Sequence, residues 1–202
     1  MQQQTIYQAL TLITPTAKMS ASVHGGRAKC LQRLIRLDMP VPRTMALSFD
    51  TVHQIAHGTL PDMAAVLAPF GEHPLVSVRP SSQDPDWGGP GAILNIGMND
   101  ARLAAMIPQI GEWAATAVYL RFVQSYAIHV ARLDPEEFYL PDVPDAAGLR
   151  AMLDTYEAET DEPFPQDPAT QLAEVLRSMA RAWDGTTARL FRQGKGAPAD
   201  AG

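Results

Sequence analysis

Residues 75–100 read LVSVRPSSQDPDWGGPGAILNIGMND, and this stretch decides how the chain is expected to fold. Its first residues, Leu75, Val76 and Val78, form an apolar and partly β-branched run that predicts a buried strand. Pro80 lacks the backbone N–H that a sheet ladder needs, so the strand is expected to end at Arg79. A glycine- and proline-rich loop follows. The guanidinium group of Arg79 is therefore expected at the end of the strand, in a position that suits the binding of a ligand with a phosphate group.

Five segments carry a family resemblance in the same order along the chain. They are Gly25-Gly26 followed by MPVP at 39–42; SVR at 77–79 with ILNIGMND at 93–100; Tyr119, Arg121, Phe122 and Gln124; PFPQDP at 163–168 with Gln171-Leu172; and Arg181, Trp183, Ala188, Phe191 and Arg192. Together they resemble the N-terminal nucleotide-binding region of pyruvate, phosphate dikinase. Ordered matches over roughly residues 20 to 200 are more specific than any one of them alone.

The resemblance implies an ATP-grasp nucleotide-binding domain, and the residue pattern favours an α+β fold that is mainly helical overall. We expect a small α/β first lobe at residues 1–99, a helical subdomain at 100–193 and a flexible tail at 194–202. In the family a second ATP-grasp lobe follows. It would lie beyond Gly202, so the chain is expected to be a truncated or split form.

The spacing of apolar residues, together with the proline, glycine and capping residues that start or end elements, predicts the individual helices and strands. Strands are expected near 10–13, 44–49, 75–79 and 92–96, and helices at about 27–38, 50–57, 61–69, 100–110, 112–132, from 145 or 146, and from 168. Asp50, Asp100 and Asp167 are the expected N-caps of three helices. The buried face of the helix at 112–132 is expected to include Trp113, Ala117, Val118, Val123 and Ile128, and that of the last helix Leu172, Val175, Leu176, Met179 and Trp183.

The resemblance also implies nucleotide-binding residues. Gly25 and Gly26 precede a helix, where free backbone N–H groups and the adjacent Arg27 can hold a phosphate; the alternative is an ordinary glycine turn. Arg79 matches the family's arginine that contacts the nucleotide phosphates, and its alternative is a surface ion pair. Arg121 is a further nucleotide-binding candidate. Arg121 and Arg192 could face a shared anionic cleft or pair with the acidic block at 134–167, and we favour the pairing for both.

Two of these segments depart from the family pattern. Arg27 stands where the dikinases have a lysine that contacts ATP, and a planar guanidinium is not equivalent to an ammonium group. Lys29 is close in sequence but is expected to point in another direction on the helix. Residues 86–92, DWGGPGA, replace the family's MPGMMDT and keep its glycine content, but the family's methionines, aspartate and threonine are absent from their aligned positions.

The dikinase reaction converts ATP, phosphate and pyruvate into AMP, diphosphate and phosphoenolpyruvate. The resemblance therefore implies a kinase-type transferase that uses ATP with Mg²⁺, with the Mg²⁺ ligands outside this chain. Phosphoryl transfer depends on positioning and on charge around the phosphates, so we expect no turnover by this chain alone and assign no catalytic residue. The expected partners are ATP and the remaining dikinase domains, in cis or on a separate chain. The alternative is a degenerate, non-catalytic module that acts through protein contacts or regulation.

Composition and charge are ordinary for a globular protein, with 46% hydrophobic and 19% charged residues, and no apolar run is long enough to span a membrane. The net charge of −6 argues against nucleic acid as a partner. Residues 134–167 hold eleven acidic residues and one basic residue, Arg150, which favours a solvated helical flank over a docking surface. A single cysteine, Cys30, and the lack of a secretory signal in MQQQTIYQAL favour a cytoplasmic location.

Three other candidates are weaker. His53 and His57 have the i, i+4 spacing that can chelate a metal from a helix, but no third ligand is evident in the sequence. We therefore favour a solvated pair and predict no metal site. Asp84 and Asp86 would need ligands from elsewhere to hold a cation. Cys30 lies on an apolar helical stripe and is expected to be a buried thiol.

Overall fold

The computed structural model describes residues 9–82 and 91–197 of the chain. Within them the strands are β1 (Leu10–Leu12), β2 (Met45–Leu47), β3 (Val76–Val78) and β4 (Ile93–Ile96). The helices are α1 (Ala21–Arg36), α2 (Phe49–Ala56), α3 (Met63–Leu67), α4 (Asp100–Ile110), α5 (Glu112–Tyr126), α6 (Ala146–Thr160), α7 (Pro168–Asp184) and α8 (Thr186–Gly194). Short 3₁₀ turns at Ala68–Phe70 and Pro135–Glu137 and a π-helical turn at Ala127–Ala131 complete the list. The fold is α+β and mainly helical, as predicted.

The strands form two small antiparallel sheets in the described residues, β1 with β2 and β3 with β4. In the second sheet Val76 lies opposite Ile96 and Val78 opposite Ile93, with an irregularity between them. The prediction of a buried strand was wrong for β3, because Val76 and Val78 are only half-buried and Leu75 is exposed. A two-stranded sheet leaves each strand with a single neighbour, and here it is β4 that faces the core through Ile93 and Ile96.

The chain forms two compact units, each of which combines segments that are distant in sequence. Unit 1 contains the described parts of residues 1–66, 79–91 and 179–202, and unit 2 contains residues 67–78 and 92–178. In unit 1 Ala28 of α1 and Ala46 of β2 form a buried cluster with Ile13, which follows β1, and Met19, which precedes α1. The predicted division into residues 1–99, 100–193 and 194–202 concerns the ATP-grasp lobes and stays a prediction.

Unit 2 is built around an aromatic cluster. The ring of Phe164 lies within 6.1 Å, centroid to centroid, of four tyrosine or phenylalanine rings from α5 and α6. They belong to Tyr119, Phe122, Tyr126 and Tyr156. All four contacts are edge-to-face, a geometry that the quadrupoles of aromatic rings favour. Unit 2 therefore has a core of aromatic rings in mutual contact.

Several helix details differ from the prediction. Ser48 and Asn99, rather than Asp50 and Asp100, are the N-caps of α2 and α4, since their side chains accept hydrogen bonds from the backbone N–H groups of Thr51 and Arg102. Trp113 does not belong to the buried face of α5, because 65% of its surface is exposed. By contrast, all five residues predicted for the buried face of α7 are buried: Leu172, Val175, Leu176, Met179 and Trp183.

Several predictions lie wholly or partly outside the described residues. Asp84, Asp86 and most of the DWGGPGA loop fall there, as do the last five residues of the tail. Among the described helices, none is long and apolar enough to cross a membrane.

Candidate functional site

The first candidate site is centred on Gly25, which interrupts α1 with φ 84° and ψ 164°. Such a backbone conformation is essentially restricted to glycine. A Cβ atom built on Gly25 would lie 1.6 Å from the carbonyl oxygen of Ser81, so this oxygen occupies the space that a side chain would need. The glycine is therefore required both for its own backbone angles and for the close approach of the segment after Arg79.

Hydrogen bonds join the two segments at this point. The Gly26 N–H donates to Ser82 O at 2.8 Å. The Ala28 N–H donates to Ser81 Oγ at 3.1 Å, and the Ser81 hydroxyl donates to His24 O at 2.9 Å. The structure therefore brings together the two segments that the sequence singled out for phosphate binding. It also corrects one expectation, because the Gly26 and Ala28 N–H groups already have partners and are not free to hold a phosphate.

Two arginines extend from these joined segments. Arg27 follows Gly26 and Arg79 precedes the Ser81-Ser82 pair, and both side chains are exposed. Neither forms an ion pair with a described residue, so the surface ion pair considered for Arg79 is not observed there. Lys29 is committed elsewhere, because its ammonium group donates to Met19 O and to the Gln32 side chain.

Arg121 and Arg192 are in different environments. Arg121 lies on the exposed face of α5, in unit 2, and makes no ion pair with a described acidic residue. Arg192, in unit 1, is buried with its guanidinium carbon 4.0 Å from the ring centroid of Trp183. Burial lowers the pKa of Arg192 below its usual range, although the nearby Asp184 carboxylate opposes this shift. The expected pairing of these arginines with the acidic block is therefore not observed.

A second polar site lies in a cleft of about 640 Å³ within unit 1. His53 Nδ1 lies 3.6 Å from Asp184 Oδ2, and the rings of His53 and His57 are 4.2 Å apart between centroids. One potential ligand atom from each of these three residues lies within 4.8 Å of the other two. No third ligand for the histidine pair is evident in the sequence, whereas the structure places Asp184, from the end of α7, beside it.

The segments that carry the family resemblance in unit 2 serve largely as a scaffold. The buried Gln171 side chain accepts from the Gly97 N–H and donates to Met98 O and Pro165 O. The Gln166 amide donates to the Tyr119 hydroxyl, which in turn donates to Asp100. Burial raises the pKa of Tyr119 above its usual range. These residues hold the β4–α4 loop, α5 and the start of α7 in fixed positions within unit 2.

Sequence reasoning missed some residues of both sites. Ser81 has no signal of its own in the sequence, because its role depends on a contact with His24 and Ala28 more than fifty positions away. Asp184 is likewise distant in sequence from His57. Cys30, expected to be buried, is an exposed thiol. Its helical stripe is apolar, but Ala28 and Leu31 rather than Cys30 contact the core cluster of unit 1.

Comparison with known proteins gives a distant relationship. No protein-family profile matches the chain. Similar proteins include pyruvate, phosphate dikinase from Clostridium symbiosum, which is 27% identical over 147 residues, covering 63% of this chain and 17% of that protein. Pyruvate, phosphate dikinase 1, chloroplastic, from Arabidopsis thaliana is 25% identical over 207 aligned positions, covering 85% of this chain and 21% of that protein. The chain spans about a fifth of the length of these relatives, and the distant homology supports a dikinase-like origin.

Proposed function

We propose that this chain is the N-terminal ATP-binding portion of a pyruvate, phosphate dikinase-like phosphotransferase. The observation that carries the proposal is the junction of Gly25 and Ser81, which joins the Gly25-Gly26-Arg27 segment to the Arg79 segment. Distant homology to two dikinases supports it. The reaction implied by this origin is the conversion of ATP, phosphate and pyruvate into AMP, diphosphate and phosphoenolpyruvate.

The phosphate contacts are assigned to side chains rather than to the backbone. Arg27 and Arg79 are exposed guanidinium groups without an ionic partner among the described residues, and planar guanidinium groups bind phosphate oxygens in a bidentate manner. Gly25 and Gly26 contribute by allowing the two segments to meet. Arg121 is a further candidate on unit 2. Mg²⁺ would accompany ATP, with its protein ligands on other parts of the enzyme.

We expect no turnover by these residues alone. The chain corresponds to about a fifth of each relative, and phosphoryl transfer requires metal and cationic charge on all sides of the transferred group. The remaining dikinase domains, in cis or on a separate chain, are the expected partners. A cytoplasmic location stays a prediction, and one of the two relatives is named as chloroplastic.

A second function is favoured by a specific observation. The backbone N–H groups of Gly26 and Ala28 are occupied by Ser82 and Ser81, and the family lysine is replaced by Arg27. Both features suit a degenerate dikinase-like module that binds protein rather than nucleotide. Its acidic flank at 134–167 would then be the docking surface. Asp142 and Glu159 are exposed and suitable for neutralisation, whereas Asp145 is not, because its carboxylate caps α6.

The test is a calorimetric titration of the purified chain with Mg²⁺-ATP. We expect saturable binding that Arg79→Ala and Arg27→Ala each weaken by about tenfold or more, since a hydrogen bond to a charged group contributes roughly 1.5–3 kcal/mol. Arg33→Ala is the matched control, because Arg33 is an exposed arginine on the same helix as Arg27. Circular dichroism establishes that each variant is folded.

The outcomes separate the two functions. A flat titration from a folded chain would contradict the ATP-binding proposal and favour the protein-binding alternative. If Arg79→Ala and Arg33→Ala lose the same affinity for Mg²⁺-ATP, the effect comes from the net charge of the chain, and the assignment of Arg79 to the phosphates would be contradicted. Release of AMP from ATP by the isolated chain would contradict the expectation that it does not turn over.

A further inference from the structure

We propose that His53, His57 and Asp184 form a binding site for a divalent transition-metal ion such as Zn²⁺. The proposal is independent of the nucleotide function, and it is carried by the convergence of two imidazoles and one carboxylate at the cleft in unit 1. Two histidines and one carboxylate are a ligand set that zinc sites use while keeping a further coordination position open.

The spacing of the ligand atoms suits such an ion. His53 Nδ1 and Asp184 Oδ2 are 3.6 Å apart, and two ligands at zinc bond lengths in a tetrahedral site are separated by roughly 3.3 Å. The third potential ligand atom lies within 4.8 Å of the others, and both imidazoles are exposed.

One histidine is already oriented for binding. His57 Nδ1 lies 2.8 Å from the carbonyl oxygen of His53, and because a carbonyl only accepts, Nδ1 carries the proton of this hydrogen bond. In the neutral ring the free lone pair is then on Nε2. A backbone carbonyl that fixes the tautomer of a histidine is the usual outer support of a metal ligand.

The two histidines lie at the C-terminal end of α2, where the electrostatic field of the helix favours a bound cation. His53 lies in the last turn of α2 and His57 is its C-cap. The carbonyl groups at a helix C-terminus carry partial negative charge, which stabilises a nearby cation.

Arginines in the same cleft bear on the choice of metal. Arg181, Arg189 and Arg192 line it with Asp50, and their excess positive charge opposes every cation, so the ligand atoms decide the choice of metal. Hard cations such as Mg²⁺ and Ca²⁺ depend on several anionic oxygen ligands, which this site does not offer. Imidazole nitrogen favours Zn²⁺, Ni²⁺ and Cu²⁺ instead.

The first experiment is a titration of the untagged chain with Zn²⁺ alone, followed by calorimetry. We expect one saturable site that is reversed by EDTA, and an affinity reduced by about tenfold or more in His57→Gln and in Asp184→Asn. His73→Gln and Cys30→Ser are the controls, because they remove another exposed imidazole and the exposed thiol without touching the site. Both should bind like the parent.

The second experiment does not depend on variants. Histidine side-chain NMR signals of the parent chain are recorded with and without Zn²⁺, and those of His53 and His57 should shift while those of His73 and His129 stay in place. The absence of saturable binding to the folded chain, an unchanged affinity in His57→Gln, loss of binding in Cys30→Ser, or shifts confined to other histidines would each overturn the proposal.

Discussion

Gly25 shows at the level of a single residue how the first candidate site is held together. Its backbone angles exclude other residues, and the Ser81 carbonyl oxygen occupies the space beside its Cα atom. Gly58 also has a positive φ, of 96°, but has open space where a Cβ atom would lie. Both glycines therefore have a positive φ, but only at Gly25 would a side chain collide with a neighbouring segment.

We predict that Gly25→Ala destabilises the chain far more than Gly58→Ala. A residue with a side chain at positive φ costs about 1–2 kcal/mol, whereas Gly25→Ala must also displace the Ser81 backbone and should cost about 3 kcal/mol or more. Urea unfolding followed by circular dichroism measures both. If the two variants lose the same free energy of unfolding, the close approach of Ser81 to Gly25 is contradicted.

Single residues also show where sequence patterns fail. The apolar stripes on which Trp113 and Cys30 lie predict buried side chains, yet both are exposed. A stripe defines a face of a helix to within about a third of its circumference, and residues at its margin are buried only if a neighbouring element reaches them. That neighbour is not encoded in the local sequence.

At the level of elements, the N-terminus of α7 was predicted well. Asp167 followed by Pro168 is a strong start signal, and the Asp167 carboxylate accepts hydrogen bonds from the N–H and the hydroxyl of Thr170. The Thr170 hydroxyl, and then its N–H, lower the pKa of Asp167 below its ordinary value. The folded state therefore favours the charged form of this carboxyl group.

The second prediction concerns the pH dependence of this cap. Because the folded pKa of Asp167 is lowered, its contribution to stability is present above the unfolded pKa, near 3.8, and is lost as the pH falls through the folded value. Asp167→Ala should cost about 1 kcal/mol at neutral pH and less in acid. Thermal unfolding over a pH series measures this difference.

Asp154→Ala serves as the control for the cap, since Asp154 is exposed in the interior of α6. It should change the free energy of unfolding by less than about 0.5 kcal/mol. A difference between Asp167→Ala and the parent that stays constant from neutral to acidic pH would contradict the role of the charged carboxylate.

Other helix starts were displaced by one or two positions. Ser48 and Asp50 are both good capping residues, as are Asn99 and Asp100, and composition does not choose between them. The choice depends on which residue has extended backbone angles, and Ser48 and Asn99 have them.

At the scale of the whole molecule, the tyrosines of the aromatic cluster couple stability to alkaline pH. Burial raises the pKa values of Tyr119, Tyr126 and Tyr156 above their ordinary value near 10. For a group that is neutral when protonated, the stabilisation is complete below the unfolded pKa and is lost as the pH rises from there toward the folded value. Ionisation of these tyrosines therefore favours unfolding.

The third prediction is that the part of the tyrosinate absorbance due to Tyr119, Tyr126 and Tyr156 rises together with the loss of helical circular dichroism, above pH about 10. Tyr126→Phe should move this alkaline unfolding to higher pH, because it removes one buried ionisable group while keeping the ring that contacts Phe164. Ionisation of all the tyrosines without unfolding would contradict the burial of the cluster.

The amino-acid sequence by itself determined the α+β class, most helix positions, the buried face of α7 and the resemblance to the dikinases, because these follow from periodicity, caps and ordered motifs. Tertiary structure alone decided that Ser81 occupies the space beside Gly25, that two backbone N–H groups there are already bonded, and that Asp184 joins His53 and His57. The physical reason is the distance along the chain over which each interaction acts. Helix periodicity and capping act over a few residues, whereas these contacts join atoms that are more than fifty positions apart in the chain and become neighbours only when each unit packs its core.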